Sequence, residues 1–394
     1  MSARTIVIAG AGIGGLTAAL ALAGKGFRIV VIDKAERLEE TGAGIQLSPN
    51  ATRVLIGLGL GYRLLPTAIV PEAIMIKTRR GGEIARLPLG ASIETRYGAP
   101  YWIIHRGDLQ AALLAAVRAH HDIELELGAE VDAFAVYPNG ITVQALRELR
   151  AADTHGVALV GADGLGSRVR ELVAGKTPPR FAHRTAWRAL VPADAVASEF
   201  RERKIHLWLG RRSHLVHYPV KGGTMINIVA IATDHVPSAG WSTGARPAEV
   251  MARFPRFFWA RQARELLAQP AQWLKWPLYH LPPVRPWSRG PVTLLGDAAH
   301  AMLPFLAQGA AMAIEDAAVL AEQLDVTPDD VAGAMRRYEG MRRGRTAKVE
   351  RAARRNGRLY HLAWPVSAAR NFFMRGIGGN GLLARYDWIY DWRV

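Results

Sequence analysis

The feature that most constrains the fold lies at residues 10–15. Gly10-Ala11-Gly12-Ile13-Gly14-Gly15 follows the apolar run Thr5-Ile6-Val7-Ile8-Ala9 and precedes an Ala/Leu-rich segment from Leu16 to Gly24. A short, β-branched run suits a strand buried on both faces of a parallel sheet. The next segment suits a helix that ends at Gly24 or Gly26. Phe27 to Ile32 is apolar again and runs into Asp33. The whole reads as a βαβ unit. Gly10, Gly12 and Gly15, with Gly14 between them, have the dinucleotide-binding spacing. Such glycines permit a tight turn and close backbone approach to a pyrophosphate, and the helix N-terminus offers unpaired N–H groups and a positive dipole end. Asp33, with Lys34 beside it, ends the second strand, where a carboxylate can hold ribose hydroxyls. The spacing alone leaves NAD and FAD both open.

Composition narrows the rest. Half of the 394 residues are apolar and 21% are charged, enough for a sizeable core and against disorder. At roughly 100–200 residues per domain, two domains are expected. No apolar run reaches the roughly 18 residues that cross a bilayer, and the glycine motif inside Met1–Leu22 argues against a signal peptide. The absence of cysteine rules out disulfides, thiolate metal sites, iron–sulfur clusters and cysteine nucleophiles, and it fits a reducing cytoplasm. No metal site is expected. The net charge of +16 raises three partners: nucleic acid, a membrane surface or an anionic small molecule. Eight Lys/Arg against Glu350 alone between Arg342 and Arg358 suggest a solvated helix face, at a homodimer or membrane surface. Nucleic-acid binding is not expected, because no aromatic interleaving or binding fold accompanies the charge.

Two further segments combine a strand with a glycine motif: Gly161-Ala162-Asp163-Gly164-Leu165-Gly166-Ser167 and Gly296-Asp297-Ala298-Ala299-His300. The second continues through Pro304 to Gln308-Gly309-Ala310 and Asp316. With Gly42-Ala43-Gly44-Ile45-Gln46 and His105-Arg106-Gly107-Asp108-Leu109, these motifs span nearly the whole chain. In them the chain resembles the class A flavoprotein monooxygenases, single-component aromatic hydroxylases with the p-hydroxybenzoate hydroxylase fold, and in particular their salicylate hydroxylase-like branch.

The resemblance implies an α/β fold: a Rossmann-like FAD-binding domain with an inserted antiparallel-sheet substrate domain and a C-terminal helical segment. The FAD-binding parts fall at 1–70, 101–178 and 286–325, the substrate parts at 71–100 and 179–285, and the helical segment at 326–394. It also implies non-covalent FAD held by Gly10, Gly12, Gly14, Gly15, Asp33 and Lys34 at the ADP end. Gly44, Ile45, Gln46, Arg106, Asp163, Gly296 and Asp297 belong to the same cofactor site. Gln308, Gly309 and Ala310 open a helix whose free N–H groups can stabilise negative charge on the reduced ring. The alternative for Asp163 and Asp297 is an Asx-turn or helix N-cap at a strand–helix junction, and the three concurrent motifs favour the cofactor role.

Candidate catalytic residues are His214, Tyr218, His300 and Pro304. In Ser213-His214-Leu215-Val216-His217-Tyr218-Pro219, strand alternation puts His214, Val216 and Tyr218 on one face and His217 on the other. A His and a Tyr there can deprotonate or hydrogen-bond a substrate hydroxyl, or simply be satisfied within the sheet. His300 is balanced between substrate and structure, and the resemblance places Pro304 beside the flavin's reactive edge. Arg188, in Trp187-Arg188-Ala189, is a candidate carboxylate partner or simply packs within its sheet. The closing Tyr386-Asp387-Trp388-Ile389-Tyr390 reads as packing. The expected activity is hydroxylation of a small aromatic acid or phenol with O2 and NADH or NADPH as transient co-substrate, through a flavin C4a-hydroperoxide. Epoxidation or hydroxylation of a larger apolar substrate, or a membrane-surface flavoprotein, are the alternatives.

Overall fold

The computed structural model describes residues 4–38, 43–148, 150–237, 240 and 242–394. Its first sheet has six strands in the order Ser288–Arg289, Val292–Leu294, Ala158–Gly161, Thr5–Ala9, Arg28–Asp33, Ile123–Leu127. All pairings are parallel except that of the short Ser288–Arg289 edge. Ile6, Val7, Ile8, Leu159 and Val160 are inaccessible, as strands covered on both faces must be. The helix Ile13–Ala23 is apolar nearly all round, and accordingly it is buried, with the helix Gly309–Val326 against it. Its one hydroxyl, on Thr17, is satisfied by Ile13 O at 2.6 Å.

The second sheet has eight strands in the order Thr243–Ala245, Trp273–His280, Arg180–Pro192, Met225–Thr233, Ser213–Val220, Lys204–Gly210, Ala73–Thr78, Glu83–Pro88. The hairpin of the last two joins its edge, with Ala73–Thr78 parallel to Lys204–Gly210. Alternation divides the residues between two faces. One face packs Trp187, Trp208, Leu215, Ile228 and Ala230 against the helices Pro247–Arg253 and Arg261–Ala268. The other carries Arg188, Val229, Ile231, His214, Val216 and Tyr218 towards the first sheet, where they border a cavity.

Some elements escape a sequence reading. Residues 71–100 form one hairpin followed by the helix Ala91–Tyr97, which starts after Gly90 at φ +62°. A three-stranded meander, Glu130–Tyr137, Gly140–Arg147 and Arg150–Gly156, interrupts the nucleotide-binding part. The long helix Val331–Tyr360 is not merely a solvated basic face. Arg342 is 1% exposed and points into the core, where it meets Glu315 and Asp316 at 2.6 Å each. Among the described residues, no helix is long and apolar enough to cross a membrane.

Candidate active site

A cavity of about 460 Å³ runs between the sheets. Gly12, Ile13, Gly14, Ala162, Gly164 and Gly296 line one part, and Arg188, His214, Tyr218, Tyr360, Tyr386 and Tyr390 another.

The glycine loop is held in place by close contacts. Gly10 sits at φ +104°, and a Cβ there would lie 2.4 Å from Ala162 O. A Cβ on Gly15 would lie 1.9 Å from Gly10 O, and one on Gly14 would meet Leu295 at 2.8 Å. The Asp33 carboxylate accepts from Ala11 N at 2.6 Å and Ala35 N at 2.8 Å, tying the loop to the strand end. Lys34 faces solvent and pairs with Glu130 at 3.2 Å. Gly12, Gly164 and Gly309 also line the cavity, yet nothing lies within 4 Å of where their Cβ atoms would be. Gly12 borders open space at the N-terminus of the helix Ile13–Ala23 and Gly309 at that of Gly309–Val326, where backbone N–H groups lack helical partners. Asp297 and Arg106 are exposed, border the cavity and have no side-chain partner among the described residues. Free donors, an open cradle, one carboxylate for hydroxyls and one guanidinium for phosphate together fit FAD.

The remaining expected cofactor residues divide. Gly44, Ile45, Gln46, Gly296, Gly309 and Ala310 line the cavity, whereas Gly42 lies outside the described residues. Asp163 does not line it. Its carboxylate accepts from Ser167 Oγ and from Val169 N at 3.1 Å, capping the helix Arg168–Ala174. Burial raises its pKa, against the pull of those capping bonds. The neighbouring Arg170 donates to Leu165 O at 2.6 Å and Ala298 O at 3.2 Å, fastening the Asp-Gly and Gly-Asp loops to each other.

His300 also turns away from the cavity. Its Nε2 lies 2.6 Å from Asp316 Oδ2 and its ring packs on Trp287 at 5.3 Å. Asp316 further accepts from Gly296 N at 3.0 Å and Arg342 Nε at 2.6 Å. Burial alone would raise the Asp316 pKa, but His300 and Arg342 hold it at about 2. The Gln308 side chain joins this support: it donates to Ser48 Oγ at 2.8 Å and accepts from Asn50 Nδ2 at 3.1 Å, and Asn50 also donates to Glu315 at 2.7 Å. His300 and Gln308 thus brace the cofactor loops from behind.

At the sheet end, the residues of Ser213–Val220 take the expected sides. His217 faces the opposite core and accepts from Trp208 Nε1 at 3.1 Å. His214, Val216 and Tyr218 face the cavity, with Pro304 bordering the same space. Tyr218 hydrogen-bonds Gln46, whose Oε1 accepts from Tyr101 OH at 2.8 Å. Burial pushes the Tyr218 pKa up, while Arg188 and Gln46 pull it down. Gly44 N donates to Asn227 Oδ1 at 2.7 Å, which lays the strand Gly44–Leu47 directly over Tyr218.

Arg188 stacks on Trp276 at 5.2 Å and borders the cavity beside Tyr218. Its buried Nε has no hydrogen-bond partner among the described residues. Burial, with Arg106 adding, pushes its pKa down to about 10, which leaves it cationic at neutral pH. A deep guanidinium without an acid calls for an anion. Sequence reasoning missed Tyr101, Tyr360, Tyr386 and Tyr390, which wall the cavity. The closing Tyr386 and Tyr390 are part of the site wall as well as packing.

The family described as FAD binding domain matches residues 3–353 of the chain. The chain is 38% identical over 389 residues to 3-hydroxybenzoate 6-hydroxylase 1 of Aquipseudomonas alcaligenes, covering 98% of this chain and 97% of that protein. It is 37% identical over 394 residues to 3-amino-4-hydroxybenzoate 2-monooxygenase PtnB3 of Streptomyces platensis, covering 99% and 96%. Among solved structures, Klebsiella pneumoniae HpxO complexed with FAD and uric acid superposes with a TM-score of 0.86 at 24% identity, covering 97% of this chain and 95% of that one. A salicylate hydroxylase substrate complex gives 0.83 at 24% identity, covering 100% and 96%.

Proposed function

The chain belongs to the FAD binding domain family and, within it, to the class A flavoprotein hydroxylases, and from that premise we propose that it hydroxylates a small, ring-hydroxylated aromatic acid of the hydroxybenzoate kind. NADH or NADPH and O2 are the co-substrates, and the cytoplasm is where the reaction takes place. The observation that carries the reading is Arg188: a half-buried cation with its Nε buried and no acid paired with it among the described residues, on the sheet face that presents His214 and Tyr218, in a cavity continuous with the nucleotide cradle.

When bound, FAD supplies the redox chemistry that activates oxygen. The chain's own residues do the rest. Backbone N–H groups around Gly12 hold the pyrophosphate, Arg106 adds a positive charge, and Asp297 accepts from polyol hydroxyls. Arg188 receives the substrate carboxylate as a charge-assisted pair. His214 and Tyr218, separated by Val216 on one strand, hold the ring hydroxyl and keep the ring electron-rich. Ile74, Ile76, Leu207 and Ile231 with the tyrosine wall exclude water from the reacting ring.

The reading is tested by screening 3-hydroxybenzoate, salicylate and 3-amino-4-hydroxybenzoate for stimulated NADH or NADPH oxidation with matching product. Arg188→Met separates the carboxylate role: KM for the stimulating acid should rise about 10–100-fold, the worth of a hydrogen bond to a charged group. An unchanged KM would remove Arg188 from the site.

A further inference from the structure

His214 does not meet the cavity alone. Its Nδ1 lies 2.7 Å from Nε2 of His361, and Nδ1 of His361 lies 3.3 Å from Nε of Arg184. The chain of contacts therefore runs from a guanidinium through two imidazoles to the cavity. We infer that Arg184 and His361 are positioning residues that lock the proton of His214 onto Nε2, so that His214 donates to the substrate's ring oxygen and selects it as the phenolate.

The direction of every hydrogen bond follows from one end. A guanidinium carries only donors, so Arg184 Nε must donate and His361 Nδ1 must accept. A neutral imidazole with a bare Nδ1 carries its proton on Nε2. That proton points at His214 Nδ1, which must accept in turn, and the proton of His214 is left on Nε2. His214 lines the cavity, and its Nε2 has no partner among the described residues. Both rings are neutral: burial, then Arg184 and Arg370, pushes the His361 pKa down to about 3. Burial, then His361 and Arg184, pushes His214 well below its usual range. Ring flips are restrained because His214 packs on Phe305 at 5.6 Å and Tyr360 at 5.4 Å, and Arg184 lies over Phe305 at 5.5 Å.

An imidazole held this way has no lone pair to offer a phenol proton. A phenolate, which only accepts, satisfies it. The inference relies on the hydroxylase reading for the identity of the ligand, not for the tautomer. His361 and Arg184 lie outside the cofactor motifs, so their part is carried wholly by this geometry.

The test uses the FAD-loaded protein and 3-hydroxy-4-nitrobenzoate, whose phenolate is coloured. Titrating the bound ligand in the wild type should show its ionisation about tenfold or more in favour of the phenolate relative to free ligand. His361→Gln can accept from Arg184 and donate to His214, so it should keep that shift. His361→Glu accepts from both neighbours, moves the proton of His214 to Nδ1, and should abolish or reverse the shift. Equal shifts in all three proteins, or none in the wild type, overturn the inference. A variant that fails to fold leaves the decision to 15N NMR of the wild-type holoenzyme, with His214→Asn assigning the signal. A proton on Nε2 supports the inference and a proton on Nδ1 overturns it. Absence of any hydroxybenzoate-stimulated NAD(P)H oxidation would sink the functional reading, while the NMR result still decides the tautomer.

Discussion

Replacing Gly44 with alanine puts a methyl group where the site has no room for one. The added Cβ would lie 2.5 Å from Tyr218 Cε2 and 2.9 Å from both the Tyr218 hydroxyl and Asn227 Cγ. Carbon contacts are comfortable near 3.5 Å or beyond, so something must move by roughly 1 Å. The strand Gly44–Leu47 is tied along its length to Trp102–His105, and Gly44 N is fixed to Asn227, so Tyr218 must share the displacement. Overpacking of this kind costs about 1–3 kcal/mol of stability. A 1 Å misplacement of a group at the reacting ring costs on the order of 100-fold in rate, equivalent to about 2.7 kcal/mol in kcat/KM. The variant should therefore fold and lose about 100-fold in kcat/KM for product formation. FAD absorbance and thermal melting, recorded beside turnover, separate a lost cofactor from a displaced tyrosine. Gly57→Ala is the internal control: Gly57 ends an exposed helical turn, with nothing within 4 Å of its Cβ, and alanine there should be neutral or stabilising by up to about 1 kcal/mol. A Gly44→Ala enzyme with wild-type turnover and melting temperature would refute the claim that this strand positions Tyr218.

Arg342→Met removes the buried cation shared by Glu315 and Asp316 and should destabilise the fold by about 3–5 kcal/mol, whereas Arg345→Met, which leaves Arg342 on Glu315, should cost less in the same denaturant titration. The Asp316 pKa is depressed to about 2, so its contribution is present above the ordinary carboxylate range and is lost as pH falls towards 2; Arg342→Met should make acid unfolding begin at higher pH. Asp297→Ala should weaken FAD binding about 10–100-fold, read by fluorescence of released flavin, if its carboxylate accepts from the polyol. As pH passes through about 10, where Arg188 loses its charge, the KM ratio of Arg188→Met to wild type should fall towards one, because the substrate's own phenol ionises alike for both proteins.

What the sequence makes legible is local. The strand–glycine–helix pattern at Thr5–Ala23 and the alternation of His214, Val216 and Tyr218 are written in spacings of a few residues, and the parallel sheet and cavity face follow them. What it hides depends on distant chain segments meeting. Gln308 is sequentially a helix cap, yet its amide joins Ser48 and Asn50, some 260 residues earlier in the chain. His300 has the spacing of a site residue, but Asp316, one helix later, draws it backwards. Arg342 reads as one of eight cations on a solvated helix, and only the packing of that helix against Gly309–Val326 shows its burial. His361, which meets His214, and Tyr386 and Tyr390, which line the cavity, come from a segment whose sequence reads only as helix and packing.

The central claim is that this cavity couples a nucleotide cradle to a pocket for a ring-hydroxylated carboxylate. Its most direct measurement is NADH and NADPH oxidation by the FAD-loaded protein, with 3-hydroxybenzoate and its isomers, and with product and peroxide quantified together. One aromatic acid should stimulate oxidation and yield hydroxylated product matching the reductant consumed. A protein that takes up no FAD, or whose oxidation no aromatic acid stimulates, would contradict it.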